Sequence, residues 1–254
     1  MLIPQRQSRL IELLSHRGMS DLDSLAKELG VSLSTVRRDL ELLEKGGLVA
    51  RTHGGAVWHG GREGQNRPYA FDQRMNHLID LKQTIASAAA KLVKPGETIL
   101  IDGGTTTFHL ARELVGQSLQ IVTNSLPIAD LFVNDDHVEL ILTGGLLYPR
   151  YAVLLGSVAE KTIAAIHAST LFLSVAGICD GAMFNQNLLL VESERKMIEQ
   201  TQRVVLLIDS SKCGQRALAR LGSLDEIDII VTDSGITDEF RREIEFTGCQ
   251  VIIA

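Results

Sequence analysis

From residue 98 to residue 253, short apolar runs recur, and several of them end on small polar residues. The runs fall at 98–101, 120–123, 138–142, 171–175, 204–208, 227–231 and 251–253. Stretches of helical spacing alternate with them, at 81–93, 105–115, 126–133, 157–166, 191–201 and 238–246, with Ser125 as the cap of the third. A strand that is apolar at consecutive positions must be covered on both faces, and intervening helices provide that cover. The pattern predicts an α/β fold with a mostly parallel sheet.

Four of these runs lead straight into polar loops. Ile101 precedes Asp102-Gly103-Gly104-Thr105-Thr106-Thr107, and the next run ends Thr123-Asn124-Ser125. Leu142 precedes Thr143-Gly144-Gly145, and Ile208 precedes Asp209-Ser210-Ser211-Lys212. Ligands of open α/β sheets bind beyond the carboxyl ends of the strands, so these loops are expected to converge on one pocket. Gly103 and Gly104 permit close backbone approach, and Gly104 is expected to take a left-handed backbone. Thr105 to Thr107 open a helix whose free N–H groups and hydroxyls can hold an anion, and Lys212 adds a positive charge. Asp102 repels an anion and suits hydroxyl groups or the orientation of its own loop. Gly and Ser/Thr also turn chains and cap helices without binding anything; four such loops on one sheet edge are what favours a site. The run Asp-Gly-Gly-Thr-Thr-Thr is not the dinucleotide-binding glycine pattern, and no phosphate-loop Gly-Lys-Ser/Thr occurs.

The first 58 residues have a different character. Residues 4–16 read as a helix with Leu10, Leu13 and Leu14 inward, and Ser20 is placed to cap a second with Leu22, Leu25, Ala26 and Leu29 inward. Gly30 makes a turn and Ser32 caps a third helix. There Val36, Leu40 and Leu43 form one apolar stripe. At about 100° per residue, Ser34 and Arg38 face away from that stripe, flanked by Thr35 and Arg37. Short polar side chains with two guanidinium forks suit a helix laid in a DNA major groove. Gly46 and Gly47 end the helix, and residues 48–57 read as a hairpin carrying Arg51, Thr52 and His53 toward phosphates or a minor groove. Three short helices and a hairpin make a winged helix-turn-helix.

Charge follows the same division. The chain of 254 residues carries −6, yet residues 1–67 sum to +2 and residues 68–254 to −8. A DNA-facing module on an acidic body explains that asymmetry. Cys179, Cys213 and Cys249 are widely spaced, so neither a disulfide framework nor metal-ligand spacing is implied. No metal and no cofactor is expected. No signal pattern opens the chain and no apolar run is long enough to span a membrane, so a reduced, cytoplasmic setting is expected. Residues 59–79 are rich in Gly, Arg and Asn, include Pro68 and lack a sustained period, which reads as a linker. The expected organisation is a winged helix-turn-helix at 1–58, a linker at 59–79 and an effector-binding domain at 80–254.

Two segments resemble the DeoR family of bacterial transcriptional regulators. The first is Val31-Ser32-Leu33-Ser34-Thr35-Val36-Arg37-Arg38-Asp39-Leu40 with Gly47-Leu48-Val49-Ala50-Arg51-Thr52-His53-Gly54-Gly55-Ala56. It implies operator binding through Ser32, Ser34, Thr35, Arg37, Arg38, Arg51 and His53. The second resembles the family's sensor domain, similar in fold to ribose-5-phosphate isomerase and glucosamine-6-phosphate deaminase, through Asp102-Gly103-Gly104-Thr105-Thr106, Thr123-Asn124-Ser125, Gly144-Gly145 and Asp209-Ser210-Ser211-Lys212. It implies that these residues, with Thr107, bind a phosphorylated sugar.

The chain departs from the family's pattern at Ser169 and at Glu194, where the family usually has an acid and a base. An acid at 194 bears on the charge of the effector, unless Arg195 or Lys196 takes the place of the base through a small helix rotation. The implied function is a homo-oligomeric, DNA-binding regulator, a repressor relieved by a phosphorylated sugar, with no catalytic residues. The alternative is a sugar-phosphate isomerase or deaminase with an accessory DNA-binding domain, using acids such as Asp102, Asp209 or Glu192. A plain protein-binding module is a third reading.

Overall fold

The computed structural model describes residues 6–7, 9–11, 13–14, 19–45, 49–52, 54–58 and 71–254. The chain divides into two compact units, residues 1–67 and residues 68–254.

In the first unit the described residues between 6 and 14 are helical. Strand β1 (Met19–Asp21) precedes helix α1 (Leu22–Leu29), and helix α2 (Leu33–Lys45) follows. Ser20 lies in the strand rather than capping α1. Asp21 is the cap, its carboxylate accepting from Ser24 N at 2.8 Å. Gly30 closes α1 in the left-handed conformation, φ 64. Strands β2 (Val49–Arg51) and β3 (Gly55–Trp58) form the hairpin, and β1 adds to it in the order β1-β3-β2. Leu10, Leu14, Leu25, Leu29, Val36, Leu40, Leu43, Val49 and Ala56 make one core. A partly buried ion pair staples the first helix to α2, with Arg6 Nε 2.5 Å and Nη2 3.1 Å from the two carboxylate oxygens of Asp39. The expected helix end at Gly46–Gly47 lies outside the described residues.

In the second unit seven strands form one sheet in the order β15-β14-β12-β9-β4-β5-β6, every pair parallel. They are β4 (Thr98–Ile101), β5 (Leu119–Thr123), β6 (Val138–Leu142), β9 (Ala168–Leu173), β12 (Thr201–Leu207), β14 (Ile229–Thr232) and β15 (Gln250–Ile253). Successive residues alternate between two cores, so that Ile99, Ile101, Phe172 and Val205 face one way and Leu100, Leu171, Leu173 and Val204 the other. Chain order runs β4-β5-β6 to one side and then restarts at β9 on the other side of β4. The strand order therefore reverses between β4 and β9.

Helices α3 (Phe71–Asn76), α4 (Ile79–Ala90), α5 (Thr105–Glu113), α6 (Leu126–Phe132), α7 (Ser157–Ala164), α8 (Leu188–Glu199) and α9 (Asp238–Phe246) complete the unit. A hairpin of β7 (Leu146–Tyr148) and β8 (Val153–Leu155), and an antiparallel sheet of β10 (Gly177–Cys179), β11 (Ala182–Asn185) and β13 (Ala219–Ser223), were not anticipated from the sequence. Neither was α3. Residues 71–79, expected to be linker, are helix and turn belonging to the second unit, while residues 59–70 lie outside the described residues. Among the described residues no helix is long and apolar enough to cross a membrane.

Candidate functional site

In the first unit the buried stripe of α2 is Val36, Leu40 and Leu43, and Ser32, Ser34, Arg37 and Arg38 are exposed. Ser32 Oγ accepts from Thr35 N at 3.3 Å and lies 2.8 Å from both Ser34 Oγ and Thr35 Oγ1. The hydroxyls at the start of α2 thus form one small network at its exposed N-terminal end. Arg51 is committed elsewhere in part: its Nε and backbone N–H both donate to the Glu44 carboxylate, at 2.7 and 3.0 Å. His53 lies outside the described residues.

In the second unit a cavity of about 420 Å³ opens beyond the carboxyl ends of β4, β9 and β12, at the point where strand order reverses. Six of the expected residues line it: Asp102, Gly103, Gly104, Thr105, Asp209 and Lys212. The first four belong to one tight turn. Thr107 Oγ1 bonds the carbonyls of Asp102 and Gly104 at 2.6 and 2.9 Å and accepts from Gly104 N, so it shapes the loop from behind. Gly104 has φ −96, an ordinary extended value. Its smallness is needed for space, since a Cβ there would sit 2.8 Å from Ser174 Cβ. A Cβ on Gly103 would meet Val153 Cγ1 at 2.1 Å.

Seven expected residues do not reach the cavity lining. Thr106 and Thr107 are buried behind the loop. Thr123 Oγ1 donates to Ile101 O at 2.7 Å and Ser125 caps α6, so both brace the neighbouring strands. Asn124 is buried beside Gly103, its amide without a hydrogen-bond partner among the described residues. Gly144 and Gly145, at φ 69 and 115, turn the chain from β6 into β7. A Cβ on Gly145 would lie 2.7 Å from Leu155 O, so this pair serves the hairpin and not the cavity.

The cavity also recruits residues that were not expected in it, although the run from Pro68 to Arg74 resembles, with a longer spacing, a Pro-x-x-x-Arg segment of the DeoR family. Arg74 comes from α3. Its guanidinium lies 4.2 Å over the Tyr151 ring, and Nε and Nη2 are buried without a hydrogen-bond partner among the described residues. Lys82, from α4, donates to the carbonyls of Arg74 and His77, holding the end of α3; burial pulls its value down to about 8. Burial also lowers Lys212, whose Nζ stands 3.9 Å from Asp209 Oδ2. The Asp209 loop is pinned by Asp233, which accepts from Ser210 N at 2.7 Å and from Ser210 Oγ at 2.8 Å. Burial pushes Asp102 up to about 6, opposed by backbone N–H groups of Gly103 and Ser174 and by Arg74.

The two sequence departures separate cleanly. Ser169 Oγ donates to Thr98 O at 2.8 Å, at the opposite end of the strands from the cavity. Glu194 lines the cavity and is buried. Neither neighbour replaces it, because Arg195 pairs with Glu226 and Lys196 with Glu199. Glu192 is exposed and away from the lining.

Residues 6–59 match the DeoR-like helix-turn-helix domain, and residues 78–234 match the DeoR C terminal sensor domain. The chain is 31% identical over 249 residues to proteins named HTH-type transcriptional regulator UlaR from Escherichia coli (strain K12 / DH10B) and from Shigella boydii serotype 18, covering 98% of each chain. Similar solved structures include ribose 5-phosphate isomerase A from Methanocaldococcus jannaschii, at TM-score 0.39 and 19% identity over 53% of this chain and 54% of that one. Another is eIF2B delta from Chaetomium thermophilum, at TM-score 0.45 and 14% identity over 61% and 56%. Likeness of that size says nothing about activity. The helix-turn-helix and the parallel sheet fit these matches, and the two family models together with 31% identity over 98% of the chain show that the chain belongs to the DeoR family of transcriptional regulators.

Proposed function

We propose that the protein is a homo-oligomeric repressor, not an enzyme, that binds operator DNA through α2 and the wing and is released by a phosphorylated sugar. The observation that carries the effector half is the cavity itself. Arg74, Lys82 and Lys212 gather there with the N-terminal turn of α5, and two nitrogens of the Arg74 guanidinium have no hydrogen-bond partner among the described residues. That set suits a phosphate, as charge-assisted donors around an anion. Asp102 and Asp209 suit sugar hydroxyls. On the DNA side Ser32, Ser34, Thr35, Arg37 and Arg38 make the groove-facing surface, and Arg51 reaches phosphate from the wing.

Self-association is supported by exposed apolar groups at one edge of the sheet. Ile141 and Leu142 on the edge strand β6, Leu146 and Leu147 on β7, and Val158 beside Gly144 are all exposed, Leu146 at 72%. A second copy of this chain covering that edge would bury the patch and supply two reading heads for repeated half-sites. Sedimentation at micromolar concentration tests it; a monomer that still binds a single site tightly overturns it.

The effector reading is tested by operator mobility shifts with and without a panel of sugar phosphates. Wild type should release DNA with at least one of them. Lys212→Ala and Arg74→Gln should keep operator affinity and fail to release. No response of wild type to any phosphorylated sugar, or conversion of one at about 1 s⁻¹ or faster, overturns the reading.

A further inference from the structure

Glu194 and Asp102 are both buried acids in the same cavity, and the protein treats them differently. Burial raises Asp102 to about 6, but its ionised form is supported by two backbone N–H groups, of Gly103 and Ser174, and by the Arg74 guanidinium. Glu194 has one donor. Asn185 Nδ2 reaches its Oε1 at 2.5 Å, while Oε2 is buried with no hydrogen-bond partner among the described residues. Its wall neighbours include Leu190, one turn earlier on α8, and Tyr151. Burial raises Glu194 well above the usual carboxylate range, and the adjacent Asp102 charge raises it further. No cation pairs with it among the described residues. Lys82 and Lys212 are grouped instead with Asp209 and Arg74.

Two buried carboxyls side by side without a cation between them hold one charge, not two. The proton then belongs on Glu194. Because Oε1 is already an acceptor for Asn185, the hydroxyl is Oε2–H, a buried group without a partner on a side chain that lines the cavity. Left unmet, a buried O–H is costly, and a ligand oxygen satisfies it.

Building on the sugar-phosphate reading, we infer that Glu194 stands in the cavity as a neutral carboxylic acid whose Oε2–H donates to a hydroxyl or carbonyl oxygen of the effector, so the effector's end at Glu194 is an uncharged oxygen and not an ammonium group. The acid at 194 therefore selects among phosphorylated sugars by what they present opposite the phosphate.

The test is calorimetric titration of the full chain, as wild type, Glu194→Gln and Glu194→Leu. The probes are inorganic phosphate, ribose 5-phosphate, glucose 6-phosphate and the amino sugar glucosamine 6-phosphate, at pH 7. Glutamine copies the neutral acid, with an N–H where the O–H was and an oxygen for Asn185; leucine does not. The expected result is that at least one neutral sugar phosphate binds wild type more tightly than inorganic phosphate does. Glu194→Gln should keep that affinity within threefold and Glu194→Leu should lose at least tenfold, with glucosamine 6-phosphate no tighter than glucose 6-phosphate.

A tenfold loss in Glu194→Gln, or an amino-sugar preference in wild type that the glutamine removes, overturns the inference in favour of a charged carboxylate. A sugar moiety that adds nothing beyond inorganic phosphate also overturns it, while leaving an anion site. If neither inorganic phosphate nor any sugar phosphate binds wild type, the proposed function fails and this inference with it. Thermal melting shows which variants are folded, and if the leucine variant is not, the glutamine result decides alone.

Discussion

The two units make their surfaces in opposite ways. The outward face of α2 comes from residues 32–38, one helix start whose side chains are exposed as soon as the helix packs by its stripe. The cavity wall takes residues from 74 to 217, drawn from α3, α4, α8, a hairpin and three strand-end loops. A site of the first kind exists wherever its helix exists. A site of the second kind exists only once the sheet has closed, so its integrity depends on packing far from the ligand.

The change that should separate the regions most is Phe172→Ala. Phe172 is fully buried in β9, between β4 and β12. Truncation should cost about 3–5 kcal/mol of the second unit's stability. Trp58 is the single tryptophan and lies in β3, so its fluorescence reports the first unit while circular dichroism is dominated by the second. Urea melts should show the second transition displaced and the Trp58 transition in place. A joint shift would mean that the two units unfold together and would break the comparison.

Arg38→Ala probes the local site. If Arg38 contacts a base bidentately, the loss is about 1–3 kcal/mol of operator affinity, with relaxed preference at one position and unchanged melting. Wild-type affinity and preference after that change would remove α2 from the reading role.

The smallest effect concerns protons. Burial raises Asp102 to about 6, above the unfolded value of about 3.9. Between those values the folded chain holds a proton that the unfolded chain has released, so this group stabilises the fold as the pH drops from 6 toward 4. Asp102→Asn removes that term. The melting-temperature difference between wild type and variant should move in favour of wild type by about 2–4 °C on going from pH 7 to about pH 5.2. A difference that stays constant with pH would place Asp102 in a solvated setting.

The same contrast explains what could be read in advance. The helix-turn-helix follows from periodicity at Val36, Leu40 and Leu43 and from Gly30, all local signals. The strands of the large sheet follow from apolar runs; β4 and β6 fall at the expected residues and the others within a few. Asp102 to Thr105, with Asp209 and Lys212, reached the cavity because residues at strand ends point there in any such sheet. Arg74 escaped because α3 lies in a stretch whose composition resembles a linker, and its fold comes from tertiary contacts such as Phe71 against Phe108 at 5.8 Å. Lys82 lay in an expected helix, but which face of that helix met the cavity depended on how it packed. Gly144 and Gly145 fall outside the cavity lining for the converse reason: a glycine pair after a strand serves a turn as readily as a ligand. Glu194 was visible as a departure, but whether it faced the cavity depended on the rotation of α8.

The reversal of strand order between β4 and β9 also has a consequence in time. β4 pairs with β9, 67 residues or more further along the chain than its own end at Ile101. During synthesis at about 5–20 residues per second, the first unit emerges whole on the order of ten seconds before the central pair of the sheet can form. A nascent chain therefore carries its winged helix before it carries any cavity. Slow closure of distant parallel strands leaves β4 with one bare edge through that interval. The growing chain passes through a stage in which a nucleic-acid-facing head precedes the part that holds the cavity.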